Sequence, residues 1–79
     1  MPLCSYTVTI VIGNLPESQQ QTVIDTLVEW IDAGHIITTT YRGTIEVGGK
    51  SKEVVEMACN AALRRIGKRL DDVIIDLFG

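Results

Sequence analysis

Residues 6–12 read Y-T-V-T-I-V-I and alternate without a break. Val8, Ile10 and Ile12 share one side, and Thr7, Thr9 and Val11 share the other. That period of two predicts a half-buried strand. Gly13-Asn14-Leu15-Pro16 interrupts it with turn-forming residues. The period then changes. Val23, Ile24, Leu27, Val28 and Ile31 recur at helical spacing and predict an amphipathic helix. Ser18 with Gln21 three residues on fits a capping box at its start. Gly34 fits the C′ position that ends it. Asp25 and Glu29 fall off the apolar stripe, on the solvent side.

Residues 35–41, H-I-I-T-T-T-Y, are rich in β-branched types and predict a second strand. Arg42-Gly43 supplies a turn, and residues 44–47, T-I-E-V, return as the third strand, ended by Gly48-Gly49. Ser51 caps a second helix whose stripe is Val54, Val55, Ala58, Cys59, Ala62 and Ile66. Its alanines and cysteine make that stripe thin, so the helix can lie close to a sheet. Gly67 is its stop. Residues 71–78, D-D-V-I-I-D-L-F, predict a last strand with Val73, Ile75 and Leu77 on one face.

The order β-α-β-β-α-β predicts an α+β, ferredoxin-like single domain over residues 1–79: a four-stranded antiparallel sheet with two helices on one face. The other sheet face is left open. Alternation places Thr7, Thr9, Val11, Thr44, Glu46, Ile74 and Asp76 there.

Two short stretches sharpen the picture. Ile10-Val11-Ile12-Gly13-Asn14-Leu15 resembles the first motif of RNA-recognition domains, and Arg42-Gly43-Thr44-Ile45-Glu46-Val47 resembles the opening of their second. Both fall on the strands that family requires. The resemblance implies the same βαββαβ order and an open face on which aromatics stack bases. At those stacking positions this chain carries Val11, Thr44, Glu46 and Gly49, none aromatic and one acidic. Gly49-Lys50-Ser51-Lys52 is similar to the last helix of double-stranded-RNA-binding domains. Glu53 and Glu56 stand where that family has further lysines, so the stretch reads as capping chemistry.

Composition narrows the function classes. The 79 residues are 46% apolar, enough for one folded domain. No apolar run approaches the roughly 18 residues of a membrane span. Met1-Pro2-Leu3-Cys4 lacks the basic region and apolar run of a signal peptide, so a cytoplasmic protein with no membrane contact is expected. Cys4 and Cys59 are too few for a disulfide framework and read as reduced thiols, with Cys59 in the core. With His35 they fall short of a zinc site. Asp71, Asp72 and Asp76 fall short of the oxygen ligands that calcium takes. No metal, cofactor or catalytic residue is assigned, and a non-enzymatic protein is expected.

The net charge of −3 disfavours a general polyanion binder. The basic residues are nonetheless clustered: Arg64, Arg65, Lys68 and Arg69 fall at the end of the second helix, where cations also complement the helix dipole. The leading expectation is a small binding module acting through protein–protein contacts. It would be a regulator or inhibitor, virus-encoded ones included, or a self-associating homo-oligomer. The expected partner surface is Val11, Thr44, Glu46 and Ile74, with Trp30, beside the first helix's stripe, as either an exposed aromatic anchor or a partly buried core edge. The alternative is weak nucleic-acid binding through Arg64, Arg65, Lys68 and Arg69.

Overall fold

The first strand, β1 (Tyr6–Val11), buries Val8 and Ile10 and leaves Thr7, Thr9 and Val11 half-buried on its other side, as the alternation predicts. This is a computed structural model, which describes residues 6–69 and the backbone of 74–76. Helix α1 (Glu17–Asp32) follows, then β2 (Ile36–Tyr41), β3 (Thr44–Gly49) and helix α2 (Lys52–Arg64). β3 sits between the other two full strands, antiparallel to both.

The predicted four-stranded sheet is corrected. The sheet consists of three full strands, β2-β3-β1, in a β-α-β-β-α arrangement. Of the predicted last strand, a three-residue segment, β4 (Ile74–Asp76), lies along the free edge of β1. It pairs only as Thr9 with Asp76 and Ile10 with Ile74, and the register shifts between them. Two paired positions separated by a register break do not extend the alternating ladder of the other strands. Val73 and Leu77 lie outside the described residues. An α+β domain stands, compatible with a ferredoxin-like layout.

Both helices cover the same face of the sheet. Val8, Ile10, Ile12, Ile36, Ile45 and Val47 meet Val23 and Leu27 of α1 and Val55, Ala58, Cys59, Ala62 and Leu63 of α2 in one core. Leu63 was not in the predicted stripe, yet it is fully buried. Val28 was in the stripe, yet it is 42% exposed. The buried face of α1 includes Thr26, whose hydroxyl donates to the Thr22 carbonyl at 2.9 Å. That bond satisfies the hydroxyl within its own helix, so a threonine can occupy a core position.

The helix ends divide between confirmation and correction. Ser51 caps α2, its hydroxyl accepting from the Val54 N–H at 3.1 Å. Gly34 closes α1 in a Schellman arrangement: its N–H reaches Ile31 O and the His35 N–H reaches Trp30 O. Gly67 ends α2 in the same way, with bonds from Gly67 to Arg64 O and from Lys68 to Leu63 O. The capping box at Ser18 does not form. Pro16 occupies the N-cap without a side-chain cap, and Ser18 lies inside the helix with its carbonyl accepting from Thr22. Proline's fixed φ favours the helix start, which moves it two residues earlier than Ser18 implies.

Gly48-Gly49 does not end β3. Both residues are paired, Gly48 with Thr7 and Ile37, and Gly49 with Tyr6 and Ile36. Tyr6 donates a hydrogen bond to Glu56 at 3.1 Å, tying the start of β1 to α2. Cys59 is free and fully buried, as expected, and burial pushes its thiol up to about 12. Cys4 lies outside the described residues.

Candidate functional site

Directly opposed residues of an antiparallel pair share a face, so the register defines in rows the side of the sheet left uncovered by the described residues. One row is Thr7, Gly48, Ile37. The next is Thr9, Glu46, Thr39, and the last is Val11, Thr44, Tyr41. The predicted residues Val11, Thr44 and Glu46 are therefore brought together, with Val11 directly opposite Thr44.

The largest apolar contributors to this face were not predicted. Ile37 is 48% exposed and Tyr41 65% exposed, both on β2. The runs Ile36-Ile37 and Thr38-Thr39-Thr40 hide the alternation of β2, since neighbours of like type show no change from one face to the other. Only the pairing with β3 separates Ile36, which is buried, from Ile37, which is not.

Tyr41 is positioned by a tight turn. Two residues, Arg42 and Gly43, join β2 to β3, and both have positive φ, 47° and 81°. That combination is the type I′ geometry whose twist matches a hairpin. The Thr44 hydroxyl donates to the Tyr41 carbonyl at 2.6 Å, and the Arg42 guanidinium lies 5.4 Å from the centre of the Tyr41 ring. The turn is also tied to β1, because the Gly43 carbonyl accepts from the N–H groups of Ile12 and Gly13 at 2.8 and 2.9 Å.

Gly49 is not part of the open face. It is buried on the core side beneath α2, so of the four family stacking positions only Val11, Thr44 and Glu46 reach the uncovered surface. The backbone of Ile74 pairs with Ile10 beside a register shift, and its side chain lies outside the described residues. Trp30 is separated from the others altogether. It lies half-buried in the last turn of α1, in the helix layer, packed against the core with its ring 5.7 Å from that of His35.

The basic residues form a second feature. Arg64, Arg65 and Arg69 are exposed and Lys68 is half-buried. β3 runs from Thr44 to Gly49, and α2 returns across β3 and β1. The helix spans about 20 Å at 1.5 Å per residue. The strand likewise spans about 20 Å at 3.3 Å per residue. The end of α2, with its cations, thus lies away from the β3–α2 connection. Lys50 and Lys52 lie at the other end of α2, at its start.

Among the described residues, no three His, Cys, Asp or Glu side chains come together as a metal site, and no helix is long and apolar enough to cross a membrane. Comparison with protein families, with curated proteins and with solved structures returned no match to this chain.

Proposed function

We propose that the protein is a non-enzymatic binding module that engages a protein partner through the open face of its sheet. One observation carries the reading: Ile37 and Tyr41 stand exposed on an uncovered face of threonine and valine, while the positions that would stack bases hold Val11, Thr44 and Glu46. Base stacking contributes about 1–3 kcal/mol per base. Valine, threonine and glutamate supply none of it, and Glu46 repels phosphate. A face of β-branched side chains with one tyrosine suits a protein surface, where aromatic anchors in an apolar patch contribute most of the affinity.

The test is affinity capture from the native host with the intact chain and with a Val11→Lys/Glu46→Lys variant. A protein retained by the parent and lost with the variant supports the reading. Equal retention by both overturns it.

A second reading rests on the cluster of Arg64, Arg65, Lys68 and Arg69 at the end of α2. Such a cluster would give weak, salt-sensitive nucleic-acid binding without sequence readout. Replacing Arg64, Arg65, Lys68 and Arg69 with alanine should then abolish binding. An unchanged salt dependence would remove this reading.

A further inference from the structure

The two edges of the sheet differ. At one edge lies β4, three residues long and broken in register, which is a protected edge. At the other lies β2, which among the described residues pairs on one side only, with β3. β2 reads I-I-T-T-T-Y over six residues and pairs with β3 in unbroken register. It holds no charge, no proline and no bulge, the devices by which monomeric proteins guard an edge.

We propose that the outer edge of β2 is a self-association surface, and that its occupant is β2 of a second copy, antiparallel and centred on Thr39. Hydrogen-bond parity allows that register, and side-chain pairing selects it. The two-residue turn makes Tyr41 and Thr44 a hydrogen-bonded pair, so the peptide groups of Ile36, Thr38 and Thr40 point outward. Centring on Thr39 sets Thr38 against Thr40 of the second copy, which joins outward-pointing groups to outward-pointing groups. The same register brings Thr39 against its own counterpart and Ile37 against Tyr41 of the second copy, twice by symmetry. These fall at the closely spaced, non-hydrogen-bonded positions, where aromatic with β-branched pairs and Thr with Thr pairs are favourable.

The match uses the two large apolar side chains that β2 exposes, Ile37 and Tyr41. Centring on Thr38 would instead set Ile37 against Thr39 and Tyr41 against His35. The uncharged strand also meets itself without like charges, in a chain whose net charge is −3. A two-fold axis perpendicular to the sheet keeps both open faces on the same side, so a partner site formed by Val11 and Glu46 remains accessible.

The experiment is sedimentation equilibrium on the full chain, with Thr38→Pro, Thr39→Lys and, in a Cys4→Ser background, Thr39→Cys or Thr38→Cys. Thr38→Pro removes an outward N–H and no bond to β3. Thr39→Lys places two cations in apposition at the axis. The parent should dimerise with a dissociation constant of about 10–100 μM. Both blocking variants should weaken it at least tenfold with unchanged circular dichroism. Thr39→Cys should cross-link on mild oxidation faster than Thr38→Cys. A parent that stays monomeric to about 1 mM, folded blocking variants that associate as well as the parent, or preferential cross-linking of Thr38→Cys would overturn the proposal. Partner capture by Thr38→Pro reads the open face separately, because that substitution leaves its rows intact.

Discussion

Gly49 of β3 lies directly beneath Val55 of α2: a Cβ at Gly49 would stand 2.9 Å from Val55 Cγ2 and 3.1 Å from the His35 carbonyl oxygen. The close approach of α2 to the sheet depends on this missing side chain. Gly49→Ala should destabilise the fold by about 1–3 kcal/mol, the range for overpacking a filled core. Urea unfolding measures it. Adding Val55→Ala should recover part of the loss, because the two residues share one contact. Strict additivity of the two substitutions would contradict the close packing.

The two helix starts give opposite expectations for similar substitutions. Ser51→Ala removes the bond to the Val54 N–H and should cost about 1 kcal/mol. Ser18→Ala should change stability by less than about 0.5 kcal/mol, since Pro16, not Ser18, occupies the N-cap of α1. Equal losses in thermal or urea unfolding would restore the capping box that the sequence suggests.

Arg42 holds a positive φ of 47° that its side chain disfavours. Asparagine followed by glycine is a preferred pair for this turn. Arg42→Asn should therefore raise stability by about 0.5 kcal/mol, less whatever the guanidinium gains over Tyr41. Gly43→Ala should lower it, since Gly43 combines φ of 81° with a Cβ position 3.2 Å from Gly13 Cα. A melting temperature unmoved by Gly43→Ala would contradict the turn geometry.

Cys59 sets an alkaline limit. Burial first, and the Glu56 carboxylate second, raise its thiol from 9.0 to about 12 in the folded chain. The folded state thus keeps a proton that the unfolded chain releases above pH 9.0. Its contribution is complete below that pH and declines toward pH 12, by about 1.4 kcal/mol per unit. Tyr6 acts in the same direction above its usual value of 10.0, raised by burial and by its bond to Glu56. Cys59→Ala should flatten the slope of stability against pH from 9 upward, whatever it does to the level at pH 7. An unaltered slope would exclude this thiol as the cause.

Much of the fold is legible where side-chain period and backbone requirement coincide. Val8, Ile10 and Ile12 declare the buried face of β1, Ser51 declares a cap, and Gly34 and Gly67 declare two Schellman stops. Legibility fails where tertiary contacts override local preference. Gly48 and Gly49 read as a break, yet they are held in the ladder by pairing on both sides and by the space α2 needs. Thr26 enters the core because its hydroxyl is satisfied within α1, and Val28 leaves it because its angular position faces out. At the candidate site, Val11, Thr44 and Glu46 are readable from alternation, whereas Ile37 and Tyr41 emerge only from the register of β2 on β3. Trp30, by contrast, packs half-buried against the core in the helix layer, apart from that face.

The central claim is that this sheet face binds protein and does not stack bases. Its most direct test is an equilibrium titration of fluorescent single-stranded RNA with the intact domain at physiological ionic strength. The account predicts no saturable binding tighter than about 100 μM. A dissociation constant of about 1 μM or below, lost on Tyr41→Ala and kept when Arg64, Arg65, Lys68 and Arg69 are replaced by alanine, would contradict it.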